Sequence, residues 1–226
     1  MTTFTKFVIS PAKREGRKLI TSPNALHARV AQAFPPQQDS DAGRVLWRLD
    51  KRQHEHVLYI VGPNKPELET LSDDAGWDGI PAQTADYDRF LDSLLKGQRW
   101  WFELVANPTQ SKSRGEGKRG KVTAHVSVEH QLSWLRRKAD LHGFSLPDGG
   151  LGEPRVLSRD FLDFGRSDPE KNNRRSRVKV ATVRFGGELE IQDVAKFRDA
   201  LRNGIGRAKG YGCGLMTLAP LGQRDG

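Results

Sequence analysis

The side chains able to do chemistry in this 226-residue chain are few: six histidines, one cysteine, and cations gathered in three clusters. His27 stands apart from the other histidines. On a helix turning about 100° per residue it falls just outside the stripe made by Leu26, Val30 and Phe34, where a ring can be half-buried and still reach a ligand. Such a border histidine is more often structural, but an imidazole titrating near neutrality is also suited to giving or taking a proton. Asn24, three residues earlier, shares its face and could hydrogen-bond a phosphate or the ring. His54 and His56 sit two apart in a polar turn and would make at most a weak surface metal site. His125, His130 and His142 read as surface or capping residues. The sequence has no Cys-x-x-Cys, no His-x-x-x-His and no EF-hand spacing, so we expect no metal and no cofactor. Cys213 alone cannot form an internal disulfide and reads as a small packing residue.

The stretch Gly204 to Gly214, GIGRAKGYGCG, carries five glycines in eleven residues together with Arg207 and Lys209. Glycine admits a close partner or a positive φ, and two cations inside such a loop suggest a phosphate ligand. Familiar nucleotide motifs do not fit. Lys209 stands where a dinucleotide fingerprint needs its third glycine, and no Gly-Lys-Ser/Thr follows. A helix C-cap with a tight turn is the plainer alternative. The second cluster lies in residues 110–121, QSKSRGEGKRGK, with Lys112, Arg114, Lys118, Arg119 and Lys121, and the third is Arg136, Arg137 and Lys138. Solvation is the usual fate of such runs, yet all three lie in the second half of the chain and favour one basic face.

The elements that position these groups follow from periodicity. Phe4 to Ile9 reads as a strand, and Ser22-Pro23 starts a helix that should run to about Phe34, where Pro35-Pro36 stops it. Val45, Trp47 and Leu49 alternate, as do Val57, Tyr59 and Val61, around the polar turn KRQHE. Residues 67–92 hold eight carboxylates against Arg89 alone, an unsuitable surface for a polyanion, and the spacing of Tyr87, Phe90, Leu91 and Leu94 is helical. A strand over Arg99 to Val105 opens the second half, with a boundary near Gly97. There we expect a strand from Lys121 to Val128, a helix through Leu132, Leu135 and Ala139, and a short strand from Arg155 to Phe161. A second basic loop, 166–177, is followed by Val178 to Phe185 and Glu188 to Ile191 paired about a Gly186-Gly187 hairpin turn. Asp193 caps a helix ending at Asn203-Gly204, and a last strand begins at Leu215. The result is an α+β chain of two tandem ferredoxin-like, RRM-like β-α-β-β-α-β domains, 1–97 and 98–226.

Composition agrees with a folded chain that meets a polyanion. Hydrophobic residues make up 36%, and Lys+Arg exceeds Asp+Glu by 37 − 28 = 9, although ribosomal and membrane-surface proteins share that basicity. No apolar run is long enough to span a bilayer, so we expect a cytosolic protein without membrane contact.

The run from Phe185, FGGELEIQDVAKFRDALRNGIGRAKGYGCGLMTLAPL, resembles the C-terminal signature of the CasE family, the CRISPR-associated endoribonuclease of type I-E Cascade systems. NALH (24–27) with the following AFP, LVANPT (104–109) and WLRRK (134–138) fall in the order and approximate spacing of that family, so the likeness covers most of the chain. The resemblance implies a metal-independent RNase that cuts CRISPR repeat RNA at the base of a hairpin and keeps the mature guide RNA among other Cascade subunits. It places His27 on the family's catalytic histidine. Asn24 departs from the family, which commonly has a tyrosine there, and an amide cannot do a phenol's acid-base work. A further cation from Lys13, Arg14, Arg17 or Lys18 is conceivable on the same reading. The rival is a non-catalytic RRM-type RNA-binding protein, which would need an exposed aromatic platform on its central strands. A metal-dependent nuclease would need a carboxylate cluster.

Overall fold

The computed structural model describes residues 1–34, 44–53, 55–112, 121–167 and 175–222. The first half runs β1 (Thr3–Ile9), α1 (Arg14–Thr21), α2 (Pro23–Gln32), β2 (Leu46–Lys51), β3 (His56–Gly62), α3 (Glu69–Ala75), β4 (Gln83–Asp86) and α4 (Tyr87–Asp92). Its four strands form an antiparallel sheet in the order β2-β3-β1-β4. The second half runs β5 (Arg99–Ala106), β6 (Thr109–Lys112), β7 (Lys121–Ala124), α5 (Val128–Leu141), β8 (Phe144–Ser145), β9 (Arg155–Ser167), β10 (Arg175–Ile191), α6 (Val194–Asn203) and β11 (Met216–Ala219). Its sheet order is β11-β5-β10-β8, with β9 paired to β10 outside that path and β6-β7 a separate ribbon. With β9 and the ribbon set aside, both sheets follow one order: fourth strand, first, third, second. The molecule is therefore α+β, each half sending the chain through strand, helix, two strands, helix and strand.

Local chemistry explains the elements that bear on the site. Ser22 caps α2, its Oγ accepting from the Ala25 amide, and Pro23 occupies the first turn, where no backbone donor is missed. Leu26 and Val30 then turn inward to Phe7, Leu19, Trp47 and Leu58. The other face of the same sheet is also covered, because Leu46, Val61, Tyr87 and Leu91 pack with Phe102, Leu104 and Phe185 of the second half. A sheet buried on both faces makes the two halves one body with respect to burial.

Four expectations need correction. Gly186-Gly187 is no hairpin turn: β10 is one continuous strand, pairing with β5 on one side and β9 on the other. A Cβ at Gly187 would lie 2.7 Å from the Pro154 backbone, and one at Gly186 2.7 Å from Leu157, so these glycines mark a close crossing of chain. The second sheet position in this half belongs to the two-residue β8, and what read as a short strand, 155–161, is part of the thirteen-residue β9. The expected strand 121–128 stops at Ala124, because Ser127 caps α5 through its Oγ and the His130 amide. Similarly, the expected basic loop 166–177 is strand at both ends, with 168–174 outside the described residues. Pro35, Pro36 and His54 also lie outside them. The cations 14, 17 and 18 lie on α1, an element that periodicity does not mark. There Lys18 pairs with Glu15 at 2.9 Å, and Arg17 donates to the carbonyls of Pro11 and Ala12.

Candidate active site

His27 sits in the middle of α2 with its ring exposed. Two parts of the chain hold it. The indole Nε1–H of Trp47, on β2, donates to His27 Nδ1 at 3.4 Å. The 3-10 turn Lys209–Tyr211 of the glycine loop brings Gly210 against the ring, where even an added Cβ would stand 3.6 Å from Cε1 and Nε2. In the neutral ring, an Nδ1 that accepts from an indole leaves the proton on Nε2, the nitrogen open to a ligand.

Trp47 is itself fixed. Only 3% of it is exposed, and Gly212 is pressed so closely on its ring that a Cβ there would come within 2.7 Å. Gly212 also has φ of +81°, so both space and backbone conformation require glycine. Gly204 meets Leu46 in the same way. The glycine loop therefore does what a plain helix cap would not: it docks the second half on β2 and sets one wall of the histidine's surroundings. Cys213 is wholly buried, and burial pushes its thiol up to about 12, which fits the packing role.

Asn24 does not face the ring. Its Nδ2 donates to the Gly165 carbonyl of β9 at 3.1 Å, so the amide ties α2 to the β9-β10 hairpin. The ring of Phe164, one residue away, tilts against Tyr211 with centroids 4.7 Å apart. Trp47 and Tyr211 join His27 as residues of this site that periodicity could not single out, since Trp47 reads simply as the core face of a strand.

The cation clusters separate. Arg114, Lys118 and Arg119 lie outside the described residues, while Lys112 and Lys121 stand opposite each other in the register of the β6-β7 ribbon. On α5 three successive cations point three ways, as about 100° per residue demands. Arg136 pairs with Asp148 at 2.7 Å, and Arg137 reaches the field of His125. Lys138 turns toward the glycine loop, its Nζ 5.9 Å from the Trp134 ring centroid. There Lys138, His142, Arg207 and Lys209 line one cavity of about 400 Å³ together with Asn107 and Thr109. Desolvation, followed by the charges of Arg44 and Lys138, lowers the Lys209 pKa against the opposing pull of Asp199. His142 is lowered by burial, then by Lys138 and Lys209, with Asp199 again opposing. Mutually repelling cations in a cavity are poised for an anion.

A contrasting set of charges joins the halves. Arg48 and Asp50 are buried on β2 as a bidentate pair at 2.9 and 2.8 Å, and Arg184 of β10 bridges Asp50 and Glu103 at 2.6 and 2.7 Å. Burial alone would raise the Asp50 pKa, but Arg48 and Arg184 outweigh it and hold the carboxyl below its ordinary value. Arg48 also donates to the Glu103 carbonyl and to Thr217 Oγ1.

Among the described residues no group of three or more His, Cys, Asp or Glu could hold a metal ion, and no helix is long and apolar enough to cross a membrane.

Comparison with known proteins adds a lineage to this geometry. A family model described as "CRISPR associated protein" matches residues 4–220. The CRISPR-associated endoribonuclease Cse3 of Thermus thermophilus is 30% identical over 220 residues, covering 96% of this chain and 99% of the relative. The Cascade subunit CasE of Escherichia coli K12 is 34% identical over 143 residues, covering 57% of this chain and 61% of the relative. Among solved structures, Cse3 bound to a 19-nucleotide RNA superposes with a TM-score of 0.80 at 27% identity, covering 97% of this chain and 99% of that one.

Proposed function

The chain belongs to the CasE (Cse3) family of CRISPR-associated proteins, and from that premise we propose that it is an endoribonuclease of CRISPR repeat RNA. In this reading it binds the repeat hairpin, cuts at its base, and stays on the mature guide RNA beside other Cascade subunits. Its two halves, divided near Gly97, are tandem ferredoxin-like units. The observation that carries the proposal is the exposed His27, whose Nδ1 is held by Trp47 and whose ring has Gly210 beside Nε2 and Cε1.

The nucleophile is the RNA's own 2′-hydroxyl, which attacks the adjacent phosphorus as the bond to the 5′-oxygen breaks. One product ends in a 2′,3′-cyclic phosphate and the other begins with a 5′-hydroxyl. With Nδ1 occupied by the indole N–H, His27 presents Nε2–H as a hydrogen-bond donor to the departing 5′-oxygen or to a phosphate oxygen on which charge develops, while the proton of the attacking 2′-hydroxyl passes to water and the 5′-oxygen takes one up from water. Asn24 acts indirectly, by holding the β9-β10 hairpin against α2. Lys138, Arg207 and Lys209 take phosphates of the RNA, with Arg137 and the cations Lys112, Arg114, Lys118, Arg119 and Lys121 adding attraction around them. Hairpin RNA is read by such phosphate and shape contacts, because its A-form major groove is too narrow for side chains.

The test is single-turnover cleavage of repeat RNA by the purified protein in chelator. We expect cutting to persist, to stop when the scissile 2′-hydroxyl is replaced by hydrogen, and to fall about 10²–10⁴-fold in His27→Ala while hairpin affinity stays within a few-fold. A folded His27→Ala that cuts at the wild-type rate removes His27 from the mechanism. Binding without any cutting by the wild-type protein would leave an RNA-binding protein only.

A further inference from the structure

Between the halves, beside α2, lies a cavity of about 250 Å³ that the cleavage chemistry above does not use. Its walls include Trp47, Tyr211, Leu49 and Val105, with Asp160 and Thr182 supplying polar atoms. It shares two walls with the histidine. Trp47 donates to His27 through its indole nitrogen while its ring lines the cavity, and Tyr211 follows Gly210, which faces the imidazole. A ligand seated there is thus one side chain away from the reacting phosphate.

The half-buried ring of Tyr211 gives an unstacked nucleobase a surface to lie on, the buried Trp47 with Leu49 and Val105 closes the apolar walls, and Asp160, Thr182 and Arg184 offer partners for its edge. The volume has room for a two-ring base but not for a base pair. The Asp160 carboxylate spends one hydrogen bond on its neighbour's amide, accepting from Phe161 N at 2.7 Å, and its carbonyl accepts from Thr182 Oγ1 at 3.3 Å. A carboxylate offers about four acceptor sites, so capacity for N–H donors remains.

The reaction supplies a reason for such a seat. Attack by a 2′-hydroxyl on its own phosphate needs the attacking oxygen, the phosphorus and the 5′-oxygen nearly in line, and a stacked A-form strand holds them well away from that arrangement. Turning one base out of the stack frees the ribose and phosphate to rotate into it. Resting on the endoribonuclease reading, we propose that this cavity receives the base of a nucleotide beside the scissile phosphate. Asp160 accepts from an amino or imino N–H of that base.

The experiment uses hairpin RNAs in which the nucleotide on the 5′ or the 3′ side of the scissile phosphate is abasic, cut by the full-length protein under single turnover. One of the two abasic RNAs is expected to be cut at least about ten-fold more slowly than intact RNA, with affinity unchanged within a few-fold, because the stem contacts remain. Val105→Phe, which fills the cavity, and Asp160→Ala should slow cutting of intact RNA and leave the rate on that abasic RNA unchanged. Equal rates on intact RNA and both abasic RNAs overturn the proposal, as does an Asp160→Ala defect of the same size on abasic RNA. If wild-type protein cuts none of these RNAs, the endoribonuclease reading falls and this inference with it.

Discussion

Two groups of cations, one shared between the halves and one wholly from the second, are handled in opposite ways. Arg48 is buried and Arg184 half-buried against Asp50 and Glu103, both guanidinium groups paired to carboxylates, and they join β2 to β5 and β10. Lys138, His142, Arg207 and Lys209 gather around an open cavity, where burial first and like charges second lower the pKa values of His142 and Lys209. The first arrangement satisfies charge within the fold, and the second leaves it for a partner. Charge counts treat the two alike; only the placement of carboxylates tells a joint from a binding surface.

The sharpest way to break this comparison is Arg48→Met. It should strand Asp50, whose side chain is 6% exposed, without its bidentate partner and cost about 3–5 kcal/mol of stability by urea unfolding. A loss under about 1 kcal/mol would mean the network contributes little. The second test is Lys138→Ala with Lys209→Ala. It should leave stability within about 0.5 kcal/mol but reduce the salt slope of hairpin binding by up to about 1.8, near 0.9 for each phosphate no longer neutralised. An unchanged slope would show these cations to be merely solvated.

A smaller effect should come from pH. In the free protein the His142 pKa is held below its ordinary value by burial and by Lys138 and Lys209, with Asp199 opposing, so the ring is neutral near pH 7. A phosphate in the cavity favours the protonated form and raises that pKa. Affinity should therefore strengthen as pH falls through the ordinary histidine range, and His142→Gln should remove that part of the dependence. A pH profile identical in the two proteins would place the phosphate elsewhere. The smallest effect is expected at Arg136, whose guanidinium already has Asp148 and Glu153. Arg136→Ala should leave the salt slope unchanged and shift stability by less than about 1 kcal/mol, as exposed pairs do.

What was legible in the sequence were signals carried by neighbouring residues. Ser22-Pro23 marks the start of α2, Asp193 marks that of α6, and alternation over 45–49 and 57–61 finds β2 and β3. The histidine's face of α2 was legible for the same reason. What failed depends on chain distant in sequence. Gly186-Gly187 imitates a turn because the reason for both glycines is Pro154 and Leu157, some thirty residues earlier. Arg48 and Asp50 alternate with Trp47 and Leu49, and nothing near them in sequence announces that the second half buries them. The ion pairs of Arg136 were equally out of sight, because Asp148 and Glu153 lie in the glycine- and proline-rich stretch that follows α5.

The seventeen-residue β10 changes register once, between Arg184 and Phe185, and Arg184 is the residue clamped to Asp50 and Glu103. The clamped point divides the strand into two unequal arms. The arm toward the hairpin tip, from Arg175 to Arg184, extends about 33 Å, and the arm from Phe185 to Ile191 about 23 Å at roughly 3.3 Å per residue. Asn24 grips β9 on the longer arm, beside the histidine's helix, while β5 and β8 hold the shorter one. A small rotation about that point would carry the hairpin half again as far as the sheet end, so the arm that meets α2 is also the one with the greater travel.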